Sequence, residues 1–247
     1  MTRRDLHVHT CYCDGKSTPE EAVKAALEKG FGQIGLVAHS YVPFDEESCI
    51  KPEKIAKFQG EVRRLKEKYR GEIEVFCGLE EDIFSEQSRE GFDYVIGSVH
   101  YIKRGGRYFS VDETPEILKN LIDGFYGGDF YACAEDYFAL VGELEKKRPT
   151  FIGHFDLIKK FRRFIPSDSG EPRYVSAWKT AADRLIKSGL PFEINTGGIA
   201  RGYLNEPYPS PEIAEYIKLH GGRLLLSSDA HRPEDIGFDF ERLQGLI

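Results

Sequence analysis

Short apolar segments rich in β-branched residues alternate with longer amphipathic segments along the whole chain, and this alternation restricts the fold more than any other feature. Seven short segments have the length and composition of buried strands, and the longer segments have helical periodicity. Two helix starts, Ser17-Thr18-Pro19 and Ser210-Pro211, place proline in the first turn. The predicted strands span residues 5–9, 33–38, 72–78, 94–99, 150–153, 191–195 and 223–227, and the predicted helices span residues 19–29, 52–69, 114–124, 136–147, 174–188 and 211–220.

Strand–helix alternation over 247 residues predicts an α/β fold with a mostly parallel sheet. About seven strand–helix units favour a barrel close to the (β/α)8 type, and an open doubly wound sheet is the alternative. The sequence contains no linker, low-complexity tract or clear internal repeat. The simplest interpretation is therefore one domain spanning residues 1–247.

Polar residues occur at equivalent positions relative to these strands. Six of the seven histidines, with one glutamate and one aspartate, lie at or just past the C-terminal end of a predicted strand. Parallel strands put all these ends on one side of the sheet, where the active sites of such folds form. His7 and His9 also share a face, because side chains at i and i+2 of a strand point the same way. The residues predicted to converge are His7, His9, His39, Glu80, His100, His154, Asp229 and His231.

The residue types gathered in this way indicate a metal site. A single histidine at a strand end is more often a structural residue, but coincidence explains six of them poorly. Imidazoles and carboxylates buried in one pocket would be costly without cations to compensate them. This mixture of ligands suits zinc, manganese or iron, whereas magnesium and calcium favour oxygen ligands. Asp14 is a further ligand candidate, and Cys11 and Cys13 are interpreted as ordinary reduced thiols.

The charge balance and the cysteine content restrict the partners and the compartment. The net charge of -7 argues against a general nucleic-acid-binding surface, although bound cations would still allow an anionic substrate in a cleft. Five irregularly spaced cysteines suggest no disulfide framework and favour a reducing compartment. Because no apolar stretch has the length of a membrane span or the position of a signal peptide, we expect a cytoplasmic protein without a membrane partner.

The order of these polar motifs resembles that of the polymerase and histidinol phosphatase (PHP) superfamily over essentially the whole chain. The motifs that carry the resemblance are His7-Val8-His9-Thr10, His39, Gly78-Leu79-Glu80, Ser98-Val99-His100, Gly153-His154-Phe155-Asp156 and Ser228-Asp229-Ala230-His231. Within the superfamily the chain looks like the monofunctional histidinol-phosphate phosphatases, notably in segments 153–161, 193–198 and 206–210. The resemblance implies a distorted (β/α)7 TIM-like barrel that binds three divalent metal ions.

Carried over position by position, the resemblance implies three metal sub-sites. The first metal ion would be held by His7, His9, Glu80 and Asp229. The second would be held by Glu80, His100 and His154, so that Glu80 bridges two ions. The third would be held by Asp14, His39 and His231. Glu81 adjoins Glu80 but would point to the opposite face of a regular strand.

The reaction expected is the hydrolysis of L-histidinol phosphate to L-histidinol and phosphate, a step of histidine biosynthesis. A hydroxide that bridges two metal ions is the expected nucleophile, because metal binding lowers the pKa of water. The leaving oxygen would take its proton from a metal-bound water, from Asp229 or from His231, and these two residues and Glu80 are the expected catalytic residues. Phosphate would meet Arg201, or Arg162 or Arg163, with Asn195 also lining the pocket.

Two other functions are compatible with the sequence. The chain could be a phosphoesterase of the same superfamily that acts on a nucleotide phosphate or on phosphotyrosine. It could also be a non-catalytic metal-binding or sensing barrel, although the complete ligand sets argue against this function. We expect a small phosphate monoester as the substrate, and the sequence assigns no oligomeric state.

Overall fold

All seven predicted strands are present in the structure, a computed structural model that describes residues 3–165 and 167–247. They form one parallel sheet in the order β1-β2-β3-β4-β7-β8-β9. These strands are β1 (Arg4–His9), β2 (Gln33–His39), β3 (Glu74–Asp82), β4 (Tyr94–Ser98), β7 (Phe151–Ile152), β8 (Phe192–Asn195) and β9 (Leu224–Ser227), and a separate hairpin consists of β5 (Tyr101–Arg104) and β6 (Arg107–Ser110).

The two edges of this sheet meet and close it into a barrel. Val8 of β1 forms a parallel bridge with Ala230, which follows β9. The backbone N–H of His9 donates to the carbonyl of Ala230 over 2.8 Å, and the N–H of Ala230 donates to the carbonyl of His7 over 3.1 Å. The open doubly wound alternative is therefore wrong, and the structure is a nearly closed seven-stranded TIM-like barrel, as the resemblance implies.

The helices pack around the barrel and include all six predicted segments. The helices are α1 (Pro19–Glu28), α2 (Pro52–Lys68), α3 (Pro115–Tyr126), α4 (Phe130–Lys147), α5 (Pro172–Lys187), α6 (Gly197–Ala200), α7 (Pro211–Leu219) and α8 (Phe240–Leu243), with 3-10 turns at Leu157–Lys159, Pro233–Asp235 and Gln244–Leu246. Helix α4 begins six residues before its predicted start at residue 136, because the Asp129 side chain caps it by accepting from the N–H groups of Tyr131 and Ala132. Among the described residues, each helix is too short or too polar to cross a lipid bilayer.

The start of α1 shows how the sequence sets a helix end. The N–H of Glu21 donates to the Thr18 hydroxyl over 3.3 Å, and the N–H of Thr18 donates to the Glu21 carboxylate over 2.8 Å. This reciprocal capping box satisfies two backbone donors that the helix itself leaves unpaired. Pro19 follows at the first helical position, where its missing N–H costs nothing.

Apolar side chains fill the barrel interior below its C-terminal end. Val37, Tyr94, Ile96, Phe151 and Leu225 form one buried cluster from four strands. The Tyr94 hydroxyl crosses the barrel and donates to the carbonyl of Leu6 over 2.6 Å. A Cβ atom at Gly35 would lie only 2.0 Å from the Tyr94 oxygen, so glycine is required for this tyrosine to fit. We call these five side chains the apolar plug; polar side chains such as Glu80 and Ser98 lie above it, towards the C-terminal end of the barrel.

Candidate metal centre

The inward-facing positions at the C-terminal ends of the strands carry the predicted ligands. His39, the last residue of β2, pairs in register with Glu80 of β3. Strand β3 runs to Asp82, beyond its predicted end at residue 78, because it continues to pair with Ser98 of β4. Glu80 therefore lies inside a strand, where its backbone is held on both sides. Glu81 points to the other face and accepts a hydrogen bond from Arg89 Nε over 3.0 Å.

The first group of ligand atoms is built on the two histidines of β1. His7 Nε2 and His9 Nε2 lie 3.1 Å apart, and both side chains are fully buried. Glu80 Oε2 lies 3.3 Å from His7 Nε2 and 3.2 Å from His9 Nε2, and Asp229 Oδ1 lies 3.7 Å and 3.4 Å from the same two atoms. Ligand atoms of a tetrahedral zinc site are separated by about 3.4 Å, given metal–nitrogen distances of about 2.1 Å. The spacing thus fits one shared cation.

The two carboxylate oxygens of Glu80 face different groups of imidazoles. Oε1 lies 2.8 Å from His154 Nε2 and 3.2 Å from His100 Nε2, and it accepts a hydrogen bond from the Ser98 hydroxyl over 2.8 Å. Oε2 faces the first group described above and also lies 3.0 Å from His39 Nδ1. This division of the two oxygens is the arrangement that a carboxylate bridging two cations requires.

The third group lies at the rim and contains Asp14, His39 and His231. Asp14 Oδ2 lies 2.9 Å from His231 Nε2, and Asp14 Oδ1 lies 3.6 Å from His39 Nε2. The imidazole of His9 is stacked between the rings of His39 and His231, with ring centroids 4.3 Å from each. The geometry accordingly groups His9 with this rim set as well as with His7 and Asp229, whereas the resemblance places it in the first set alone.

Unpaired buried acceptors show that the donor set fits metal ions. Glu80 Oε2 and Asp14 Oδ1 are buried and have no hydrogen-bond partner, although ring nitrogens surround both atoms. Buried acceptors of this kind are costly unless something compensates them. Nitrogen and oxygen ligands in this mixture suit zinc, manganese or iron.

The electrostatics of the pocket favour the ionised form of its two central carboxyl groups. Burial alone would raise the pKa of Glu80, but the imidazoles of His39, His7 and His100 outweigh it and hold the pKa well below its usual value. Burial likewise opposes ionisation of Asp229, yet Arg201 and His7 hold the pKa of this carboxyl well below its usual value. Both carboxylates are therefore ionised and available as ligands.

Two buried carboxylates behind the histidines were not predicted as site residues. Glu193 Oε2 lies 2.9 Å from His7 Nδ1, and Asp82 Oδ2 lies 3.3 Å from His100 Nδ1. Carboxylates in this position fix the tautomer and orientation of a metal-binding imidazole. A signal was present in the sequence, because Glu193 interrupts the apolar strand β8 at an inward-facing position shared with Asn195.

The predicted phosphate-binding residues are not brought to one place. Arg201 lies at the site and donates to Asp229 Oδ2 over 2.9 Å. Arg162 instead donates to Glu206 over 2.7 Å and lines a separate cavity, because the turn after His154 directs it away from the histidines. Arg163 donates to the carbonyl of Gly202. Asn195 is fully buried beneath the site, where it donates to Glu193 and accepts from Gly197, so both ends of its amide are already used.

Two adjoining cavities open above the ligand groups. The main cavity, of about 560 Å³, is lined by Asp229 of the first group, by histidines of the other two groups and by Arg201. The side cavity, of about 220 Å³, extends towards the β5–β6 hairpin. Lys160, which was not predicted as a site residue, borders both cavities, whereas Arg162 borders neither. The residues shared by the two cavities are Asp14, His39, His100, Asp112 and Lys160.

Comparison with known proteins agrees with this geometry. The family model described as "PHP domain" matches residues 5–197. The chain belongs to the PHP family. A PHP-family relative from Deinococcus radiodurans, named "Probable histidinol-phosphatase", is 32% identical over 96% of this chain and 89% of its own length.

Two solved structures share the PHP-type barrel. The HisK protein of Listeria monocytogenes superimposes with a TM-score of 0.87 at 21% identity, covering 97% of this chain and 99% of that chain. The histidinol phosphate phosphatase HisK of Lactococcus lactis subsp. lactis, solved with zinc, L-histidinol and phosphate, superimposes with a TM-score of 0.77 at 19% identity, covering 100% of this chain and 92% of that chain. At these identities, the two structures establish the fold.

Proposed function

We propose that this chain is a metal-dependent phosphomonoesterase that hydrolyses L-histidinol phosphate to L-histidinol and phosphate in histidine biosynthesis. The observation that carries the proposal is the convergence of nine predicted ligand residues at one end of the barrel, where six of them line the main cavity. The chain is also similar over almost its whole length to a relative named "Probable histidinol-phosphatase". We propose that residues 1–247 form one metallophosphatase domain. The nine residues are His7, His9, Asp14, His39, Glu80, His100, His154, Asp229 and His231.

We propose that these residues hold three divalent cations in the sets given above, with Glu80 shared by two of them. The donor set accepts zinc, manganese or iron. Zinc is supported by its presence in the Lactococcus structure. When bound, such cations act as Lewis acids that neutralise phosphoryl oxygens and make water acidic enough to attack phosphorus near neutral pH.

The side chains around the main cavity would bind the phosphate ester and supply the proton. Arg201 Nε is buried without a hydrogen-bond partner, and Lys160 lines the same cavity. Guanidinium and ammonium groups at these positions would orient the phosphoryl group. Asp229 and His231 border the same cavity and are the proposed proton donors for the leaving oxygen. Glu80 completes the proposed catalytic set, because its two carboxylate oxygens face His9 of the first group and His154 of the second.

The proposed partner is a small phosphate monoester, in line with the size of the main cavity. The net charge of -7 argues against nucleic acid as a partner. We propose a cytoplasmic location, because all five cysteines are free thiols and thiols persist in a reducing compartment.

The test measures phosphate release from L-histidinol phosphate, nucleotide 3′-phosphates and phosphotyrosine, in protein stripped with a chelator and in protein reloaded with zinc or manganese. We expect metal-dependent turnover with L-histidinol phosphate preferred. The variant Glu80→Gln should lose at least about 100-fold in kcat, since it removes charge that stabilises bound cations. Glu81→Gln, which changes the neighbouring carboxylate on the other face, is the matched control. Equal turnover with and without metal would exclude the proposed reaction.

A further inference from the structure

The side cavity is lined by more carboxylates than the metal groups use. Besides Asp14 and Glu80, it contains Asp45, Asp82, Asp112 and Glu113. Phosphate is an anion, so negative charge beside a phosphate site would weaken binding unless the substrate also carries a cation. The arrangement therefore bears on which phosphate esters the site accepts.

Two of these four carboxylates, Asp82 and Asp45, accept hydrogen bonds from backbone N–H groups that hold them in place. Asp82 accepts from the backbone N–H groups of His100 and Phe84, over 2.9 and 2.8 Å. Asp45 accepts from the Tyr101 hydroxyl over 2.5 Å and from two backbone N–H groups of its own loop. Among the described residues, this leaves Asp112 at the border of the two cavities and Glu113 at the exposed edge of the side cavity.

Asp112 and Lys160 form an ion pair between the two cavities. Lys160 Nζ lies 3.2 Å from Asp112 Oδ2, and it donates to the backbone carbonyl of Asp112 over 2.6 Å. The Ser110 hydroxyl donates to Asp112 Oδ1 over 3.2 Å. The proposed substrate carries a matching pair of charges, because the carbon next to its phosphorylated methylene bears a primary ammonium group.

We infer that Asp112 binds the primary ammonium group of the substrate while Lys160 turns to the phosphate. The inference rests on the proposed function and specifies the substrate class as phosphate esters with an ammonium group on the carbon beside the phosphorylated methylene. Such a substrate replaces the Lys160–Asp112 pair by two new pairs, so neither side chain loses its counter-charge. An ester without the ammonium group would draw Lys160 to its phosphate and leave the Asp112 carboxylate without a counter-charge beside an anion. This loss should weaken the binding of such an ester.

The test compares L-histidinol phosphate with its desamino analogue, 3-(imidazol-4-yl)propyl phosphate, in zinc-loaded protein. The measured quantity is the ratio of kcat/KM for the two esters, which cancels effects on phosphate binding that both share. We expect wild type to prefer the ammonium ester, and Asp112→Asn to lower this preference about 10- to 100-fold, the range for a hydrogen bond to a charged group. Asp123→Asn, on the exposed face of α3, is the remote control and should keep the wild-type ratio.

Each outcome bears on the inference. A larger loss of preference in Glu113→Gln than in Asp112→Asn overturns the assignment to Asp112. Equal use of both esters by wild type overturns the inference and leaves the phosphatase activity standing, whereas metal-independent or absent hydrolysis of both overturns the proposed function and the inference with it. A second measurement needs no variant: L-histidinol should inhibit wild type at least about tenfold better than its desamino alcohol, and equal inhibition contradicts ammonium recognition.

Discussion

His7 Nδ1 lies 2.9 Å from Glu193 Oε2, and both side chains are fully buried. The same carboxylate accepts from the backbone N–H of His154 and from the side-chain amide of Asn195, each over 2.7 Å, and from the Ser227 hydroxyl. Four donors around one buried carboxylate require it to be ionised. Glu193 therefore fixes the orientation of His7 and the backbone position of His154, which belong to two different ligand groups.

The first prediction concerns this carboxylate. Glu193→Gln should weaken zinc binding about 10- to 100-fold, because the imidazole of His7 loses its anionic partner. Competition with a chromophoric chelator measures the affinity directly, independently of turnover. Glu81→Gln, a buried carboxylate paired with Arg89, is the control and should bind zinc as wild type does. Unchanged zinc affinity in Glu193→Gln would contradict the orienting role.

The second prediction concerns the apolar plug. Gly35→Ala should lower the free energy of unfolding by about 1–3 kcal/mol, because its methyl group would collide with the Tyr94 hydroxyl. Denaturant titration of metal-free protein measures the change. In a Tyr94→Phe background the same substitution should cost less, since the colliding oxygen is gone. Additive effects of the two substitutions would show that Gly35 is needed for another reason.

The third prediction concerns the segment that follows Asp229 and His231. Lys29 Nζ donates to the carbonyls of Pro233, Glu234 and Ile236, over 3.1, 2.6 and 3.0 Å. Lys29→Met should destabilise the protein by about 1–3 kcal/mol, since these carbonyls lose a charged donor. Hydrogen exchange should rise in residues 232–237 above its level in Lys24→Met, which changes an exposed lysine within α1, the helix that Lys29 follows. Equal exchange in both variants would contradict the prediction that Lys29 holds this segment in place.

The fourth prediction concerns stability against pH. Burial alone would raise the pKa of Asp112, but the ammonium of Lys160, with His100 and His154, outweighs burial and lowers the pKa to about 2. A carboxyl with a lowered folded-state pKa stabilises the fold above its unfolded pKa, and this contribution disappears as the pH falls through the folded value. Wild type should therefore exceed Asp112→Asn by about 1–2 kcal/mol at pH 6, and the difference should vanish towards pH 2.

Denaturant titrations of both proteins in the presence of chelator would measure this difference. The chelator keeps metal release, which also occurs in acid, out of the comparison. A difference that stays constant from pH 6 to pH 2 would contradict the assigned pKa.

The strands and the ligand positions could be predicted because they depend on local pattern and on strand direction. His39 and Glu80 share one rim simply because parallel strands end on the same side. The side-chain environment could not be predicted in the same way. Arg162 and Lys160 are two residues apart in sequence, yet only Lys160 borders the main cavity, because the turn at Leu157–Lys159 decides which side chain faces inward.

The β5–β6 hairpin shows a second limit of prediction. Its strands are four residues each, and Ile102 and Phe109 are its buried apolar residues. An alternation this short gives little periodicity from which to predict a strand, and the Gly105-Gly106 turn is the main indication of the hairpin in the sequence. The hairpin nonetheless follows β4 directly and contributes Tyr101 and Ser110 to the side cavity.

The apolar plug fills the barrel interior beneath the ligand groups, and the main cavity lies on the other side of them. We expect a phosphate ester and both products of its hydrolysis to pass through this cavity, since Tyr94 and its neighbours fill the barrel interior on the other side. A departing product thus occupies the path of the next substrate. Accumulated phosphate should therefore inhibit turnover by occupying this cavity, and product release can be the rate-limiting step.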